Sequence, residues 1–468
     1  MQTNGVLPVS RRRRAYAALI LGTVITAIDS SIANIALPTI GRDLHVSPAQ
    51  IVWVASAYLL AITMSLFSVS SLGQSRGLTR IWGGGVALFT LGSLACAVSG
   101  SFPLLIAGRV VQGCGAAAIM SLSPALVRDI YPRSMLGHAF GLNAMYTSIA
   151  AAMGPAIGGT MLAILPWQWL FAINLPIAAL IVLLARDALP NVAGTGARLD
   201  PPSVVASAIG FSLLIYGVDG FARRGPLALT AAELLAGLLT FGWFAHRQFA
   251  LPVPMISLDL FRLPRFSVAA QASFSGWSAW GLGVIALPFF LQLDFGMSPL
   301  HAGLIMTAWP IANALVAPVT GHWADRYAVG WIATGGLVVF TGALLLFGYA
   351  VMHPTVVLLV AAAFVAGTGW GIFQTPNNRE IMGAGPPEKS GSTAAIFASL
   401  RVAGQTFGAS LAAIVFASFA PAAGEHMPKD ALHTAVLAAL ALACAFSVLA
   451  TFVSAQRAFR DGFHYHPA

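Results

Sequence analysis

Residues 150–176 read AAAMGPAIGGTMLAILPWQWLFAINLP. The run is apolar, and it ends in a Trp-rich turn bounded by Pro166 and Pro176. Ala151, Gly154, Gly158 and Met161 recur at intervals of three and four, so they share one helix face, and that face is nearly flat. Flat faces let two helix backbones approach closely in lipid, where packing rather than water expulsion holds helices together. Pro155 removes one backbone donor and weakens the ladder at that point. Taken alone, such a stripe fits a packing helix of any polytopic membrane protein.

The rest of the chain supplies the membrane. Of 468 residues, 58% are hydrophobic and 8% charged, a balance that excludes a soluble domain with a single core. A spanning helix needs roughly 20 apolar residues to cross roughly 30 Å of hydrocarbon. Blocks bounded by Pro, Gly or charge predict fourteen such helices, near 15–37, 50–70, 81–98, 103–127, 138–162, 169–185, 202–218, 227–244, 266–293, 302–323, 331–350, 355–374, 391–418 and 433–454. The opening RRRRAYAALILGTVITAI could pass for a signal peptide, but its apolar run continues through Leu37 with no A-x-A site and reads as a retained first span.

A net charge of +9 could suggest nucleic acid, yet apart from Arg11–Arg14 the basic residues stand singly in short connectors. Membrane orientation accounts for them without nucleic acid. With a cytoplasmic N-terminus, 18 of the 24 Lys and Arg fall on cytoplasmic connectors or tails, while Arg109 and Arg401 fall within spans. An even helix count then places both termini in the cytoplasm. Cys96, Cys114 and Cys444 lie in separate apolar blocks, so neither a disulfide framework nor a metal site is expected. No HExxH, GxSxG, CxxC or Walker-type run appears, so no enzyme and no cofactor is expected.

Two loops look alike. LGQSRGLTRIWGGG follows the second helix and TGHWADRYAVGWIATGG follows the tenth, equivalent places in two six-helix halves if helices 7 and 8 are an insertion. RDALPNVAGTGARLD, residues 186–200, has the composition of a linker. The chain divides accordingly into a tail (1–14), a six-helix bundle (15–188), a linker with the inserted pair (189–265), a second six-helix bundle (266–456) and a tail (457–468).

Two intramembrane charges point to chemistry. Asp29 lies nine residues before Pro38, roughly 13 Å into the membrane at 1.5 Å per residue. A carboxylate there costs roughly 2.5 kcal/mol upward and needs a partner or a proton. Arg109, six residues past Pro103 on a helix of opposite direction, reaches a similar depth, roughly 9 Å, and Gln112 continues its face. Burial and a nearby guanidinium act in opposite senses on a carboxyl's hold on its proton. Such a pair can therefore take up and release protons as its surroundings change. Trp277 and Trp280 share one face of the ninth helix, and Asn34, Tyr58, Gln112, Met145, Phe373 and Gln374 are candidate walls of the same cavity, because aromatic and Met-rich surfaces adapt to varied apolar ligands. Asp219, Glu233, Asp294 and Glu380 read as helix-end or peripheral acids.

These stretches resemble one family. GPAIGG, with Gly154, Pro155, Gly158 and Gly159, resembles the antiporter motif of major facilitator superfamily exporters, and WQWLFAINLP is similar to the WRWxFxINxP of the fourteen-span drug:proton antiporters. DSSIANIALP, RVVQGCGAA and the region from Gly371 to Gly408 resemble that group as well, so the likeness covers essentially the whole chain. It implies an all-α fold of two six-helix bundles plus two inserted helices, facing each other across a central cavity. It also implies proton-coupled export of small apolar or cationic compounds across a bacterial inner membrane, with Asp29 and Arg109 in proton coupling. The partners so implied are substrate, protons and the bilayer; a periplasmic adaptor and an outer-membrane channel are left open.

One loop departs from the family pattern G-x-L-A-D-R-x-G-R. Its aspartate position is Gln74, its neighbour is Ser75 and its first glycine is Ser70, although Gly77 and Arg80 remain. The second copy keeps Gly321, Asp325 and Arg326. In the family the loop aspartate sits near the positive end of a helix in the other half, while the loop's basic residues face an acid at the end of the fourth helix, here Asp129. The resemblance thus assigns gating to these loops and leaves the first copy without its charge.

Overall fold

The computed structural model describes residues 8–132, 135–190, 194, 200–222, 226–251, 254–384, 390–420 and 427–461. Its helices are α1 (Val9–Asp43), α2 (Pro48–Ile51), α3 (Trp53–Arg76), α4 (Leu78–Ala97), α5 (Phe102–Ile130), α6 (Leu136–Ile164), α7 (Trp169–Ala172), α8 (Asn174–Ala185), α9 (Pro201–Ala222), α10 (Leu227–Ala250), α11 (Pro264–Phe289), α12 (Pro299–Arg326), α13 (Val329–Met352), α14 (Val356–Ala384), α15 (Ser390–Phe419) and α16 (Lys429–Asp461). No strand occurs among the described residues. Among the described residues thirteen helical segments are long and apolar enough to span a membrane, and Trp169–Ala185, where a sixth crossing is expected, is a shorter apolar helix.

Local chemistry sets several starts. The Ser47 hydroxyl accepts from the Gln50 amide at 3.3 Å with Pro48 in the first turn; in the second half the Ser298 hydroxyl accepts from the His301 amide at 3.4 Å ahead of Pro299. Both are N-cap-plus-proline starts. They open the second spanning segment of each half, a repeat at single-residue detail.

In the first half α5 packs on α3 and α4, and α1 packs on α6 and α8; in the second α14 packs on α12 and α13, and α11 packs on α15 and α16. The inserted α9 and α10 pack on each other, with α9 against α3 and α15. Leu235, Leu238 and Leu239 of α10 are exposed, as lipid-facing residues of an outer helix should be. The helices form two six-helix bundles with an inserted pair, the arrangement that the sequence resemblance implies.

The halves are sealed at the end where Pro38 lies. There Ile35, Leu37 and Ile40 of α1 share one buried apolar cluster with Phe289, Phe290 and Leu291 of the other half. A π-turn, Phe290–Asp294, begins two residues after Pro288, whose ring cannot donate and disrupts the regular ladder. That turn carries Gln292, whose amide donates to the Ile35 carbonyl at 2.7 Å, while the Thr39 hydroxyl donates to Gln292 Oε1 at 3.3 Å.

α6 joins the halves on another side. Gly154 and Gly158 face α1, where a Cβ on Gly158 would lie 2.8 Å from Ile35 Cγ2. Pro155 and Gly159 face α12: a Cβ on Gly303 would lie 2.2 Å from the Pro155 carbonyl oxygen, and one on Gly159 2.6 Å from that of Pro299. The stretch that opened the sequence reading is thus a two-sided wedge between the bundles.

Candidate functional site

Five helical segments of the first half converge on Asp29. Its carboxylate, buried on α1, accepts Arg109 Nη1 at 2.6 Å on one oxygen, and Gln112 Nε2 and Asn174 Nδ2, each at 2.8 Å, on the other. Ser93 Oγ of α4 accepts from the same two amides, at 2.8 Å from Gln112 and 3.2 Å from Asn174. Arg109 donates further through Nε to the Val54 carbonyl at 2.9 Å and through Nη1 to Gln112 Oε1 at 2.6 Å. Its guanidinium lies 4.1 Å over the Tyr58 ring and 5.6 Å from the Phe171 ring. Every charge here is paired and every Asp29 oxygen bonded, as a charge pair out of reach of water requires.

A cavity of about 370 Å³ lies between the bundles, directly beyond Tyr58. Of the candidate wall residues, Asn34, Tyr58, Trp277, Trp280 and Gln374 line it. Gln112, Met145 and Phe373 do not. The Gln112 amide is turned back to Asp29, Met145 is exposed on α6, and the buried Phe373 packs on Trp370 with ring centroids 5.4 Å apart. The wall instead gains Trp309, Trp370, Asn313, Arg401 and Gln405.

Two residues of the Asp29 cage went unassigned in the sequence. Asn174 stands inside INLP and Ser93 in a Gly- and Ser-rich span, where one uncharged polar side chain carries no sign of its partner. Among the peripheral acids, Asp219 accepts Trp53 Nε1 at 2.9 Å, and Asp294 meets His433 Nδ1 at 2.7 Å.

The first loop turns at Gly77, whose φ of 110° suits only glycine without strain; Gln74 and Arg80 on either side of it are exposed, as is Asp129 near the end of α5. The linker lies on this loop: Thr79 Oγ1 donates to the Pro190 carbonyl, and a Cβ on Gly194 would lie 2.0 Å from the Ser75 carbonyl oxygen. In the second copy Gly321 has open space where a Cβ would point, and the side chains of Asp325 and Arg326 lie outside the described residues.

The Major Facilitator Superfamily model matches residues 19–408 and 268–461. Over 446 residues the chain is 37% identical to the uncharacterized transporter YebQ of Escherichia coli (strain K12), covering 95% of this chain and 96% of that one. It is 29% identical over 383 residues to the riboflavin transporter RibZ of Clostridioides difficile (strain 630), covering 81% and 83% of the two chains. Over 310 residues, 65% of each chain, it is 31% identical to the putative multidrug resistance protein MdtD of Salmonella typhi. With the family's sequence pattern running almost end to end and its bundles in place around the cavity, this chain belongs to the Major Facilitator Superfamily and is a multi-pass membrane transporter.

Proposed function

We propose that this transporter is a proton-coupled antiporter of a bacterial inner membrane, with both termini cytoplasmic, exporting several small and largely apolar compounds by alternating access between its bundles. The Asp29–Arg109 pair carries the reading. An ionised Asp29 satisfies three N–H donors at once. A proton on that carboxyl weakens each of those bonds and leaves Arg109 a buried cation without its counter-charge, so the proton changes how α1, α5 and α8 are tied together. The Tyr58 ring meets the Arg109 guanidinium and also lines the cavity, so a change at the pair is felt at the wall. Proton entry from outside and release to the cytoplasm would then drive substrate the other way.

Bundle boundaries at 15–188 and 266–456, with 189–265 as a separate insertion, fit the packing of α9 and α10 chiefly on each other. The cationic share of the expected substrate range has less support, because no Asp or Glu lines the cavity among the described residues. The similarity to RibZ favours a second reading, a dedicated exporter of one metabolite. A resistance screen with chemically diverse compounds in a pump-deficient host separates the two: protection against several unrelated compounds supports the first, protection against one the second.

Proteoliposome flux driven by a pH step alone tests the coupling. Asp29→Asn keeps the shape and removes the titrating group, so uphill transport should vanish while the protein still folds. Uphill transport by that variant would rule out the assigned role.

A further inference from the structure

Arg401 on α15 is the one cavity-lining cation, and it has no ion-pair or hydrogen-bond partner among the described residues. Its Nε is buried and unbonded, and the Trp277 ring lies 6.0 Å from the guanidinium carbon. Buried basic groups elsewhere are held: Arg109 by Asp29, and Arg457 through hydrogen bonds to Asn377 Oδ1 and Ser454 Oγ, each at 3.2 Å. Two further donors in the same wall are also without a partner, the Tyr58 hydroxyl and Trp309 Nε1. Tyr58 and Arg401 are within electrostatic reach of each other. Among the described residues the wall therefore presents a net positive charge and unpartnered N–H and O–H donors, with no acidic side chain to receive them. A buried donor left unsatisfied, as Arg401 Nε, the Tyr58 hydroxyl and Trp309 Nε1 are, is costly unless an acceptor arrives.

The same wall carries four tryptophans, Trp277, Trp280, Trp309 and Trp370. Trp277 meets Trp280 at 5.4 Å and Trp370 at 4.7 Å between ring centroids, and Trp280 meets Trp309 at 6.5 Å, all at steep angles. Indole faces and edges in this arrangement accept a further flat ring. The volume, about 370 Å³, lies within the range of cavities that hold small organic molecules.

We infer that the cavity selects aromatic anions, compounds with a flat ring system for the four tryptophans and one carboxylate-like acceptor for Arg401, helped by Tyr58 and Trp309. This rests on the cavity being the substrate site, and it narrows the exported class to acids. Arg401 is then a specificity residue, and the charge it supplies is what a neutral or cationic aromatic compound cannot use.

The test uses three probes of one shape: 1-naphthoate, 1-naphthamide and 1-naphthylmethylammonium. Binding to the full-length protein in nanodiscs is followed by tryptophan fluorescence. Naphthoate should bind roughly tenfold or more tighter than the amide, as hydrogen bonds to a charged group imply, and the cation weakest. In Arg401→Gln the ratio of naphthoate to naphthamide affinity should fall close to one, and Arg401→Lys should keep part of it. Equal binding of the three probes by the native protein, or an unchanged ratio in a folded Arg401→Gln protein, would overturn the proposal. If Arg401→Gln does not fold, Arg401→Lys decides by whether the ratio falls. Binding with no charge preference sinks the anion assignment alone. If none of the probes binds, or if Trp280→Ala leaves their binding untouched, the cavity itself is not the substrate site and both readings fall together.

Discussion

At Asp29 the surroundings rather than the residue type decide the chemistry. A carboxyl in hydrocarbon would be expected to stay protonated, yet here Arg109, Gln112 and Asn174 all present N–H bonds to it. Removing the guanidinium is therefore a different experiment from removing the carboxylate. Arg109→Ala leaves Asp29 buried with two amides and no counter-charge, and loss of one partner from a buried pair costs about 3–5 kcal/mol. Thermal unfolding in detergent should show that loss for Arg109→Ala and a much smaller one for Arg109→Ala combined with Asp29→Asn; equal losses would mean that the charge pair is not what Arg109 stabilises. Asp29 and Arg109 were legible because a charge inside an apolar run needs a partner at its own depth. Asn174 and Ser93 were not, since amides and hydroxyls occur in spans for capping and back-bonding as well. Arg401 was visible as a charge within a span, but nothing in the sequence told that it faces a cavity whose described lining holds no acid.

At the scale of the element, α6 shows how much a small-residue stripe can and cannot reveal. Spacing alone gave a flat face on residues 151–161, while the partner helices could not be read, because α1 and α12 approach from opposite sides and the second lies across the molecule. Gly303 of α12, which the stripe did not mark, meets the Pro155 carbonyl more closely than any Cβ allows. Gly303→Ala should push α12 off α6 and destabilise the protein by about 1–3 kcal/mol, as over-packing does. Gly321→Ala, on the same helix with open space around it, should leave the unfolding temperature nearly unchanged, and similar shifts for the two would contradict the wedge.

The inserted pair has its own tie. Asp200 precedes α9 and accepts Arg247 Nε at 2.7 Å and Nη2 at 2.6 Å, and it also accepts the Ser203 hydroxyl. These bonds, led by the Arg247 hydrogen bond, pull its carboxyl from the ordinary 3.8 down to about 2. A carboxyl whose folded value is depressed adds stability above its unfolded value and loses it as the pH falls through the folded one. The stability difference between native protein and Asp200→Asn should therefore be fully present above about pH 4 and should shrink towards pH 2, and a difference that stays constant over that range would show that Asp200 acts only by packing. This pair escaped sequence reading because Asp200 looked like part of a polar linker rather than the foot of a helix.

For the molecule as a whole, fourteen crossings could be counted because each apolar block is bounded by Pro, Gly or charge, and the repeated loop placed the insertion. What the sequence does not record is which end of the cavity is shut, a property of two bundles and not of either. Gln292 and the apolar cluster around Ile35 and Phe290 close the Pro38 end, the arrangement expected of a transporter facing the side of its termini. The opposite state depends on contacts at the other end, where Gln74 replaces the charge that the family pattern carries and the linker at Pro190 and Gly194 lies against the loop instead. A carboxylate near a helix N-terminus contributes about 0.3–2 kcal/mol. Restoring it by Gln74→Asp should hold the terminal side closed more of the time, and a coupling of about 1 kcal/mol shifts a two-state population a few-fold. Asn143 lines the cavity on α6 towards the Leu136 end, so a cysteine placed there, with Cys96, Cys114 and Cys444 replaced by serine, reports on access from the terminal side. Its labelling rate should fall a few-fold when Gln74→Asp is added. An unchanged or faster rate would mean that the loop charge does not govern this gate, and that the contacts of the linker with Ser75 and Thr79 do.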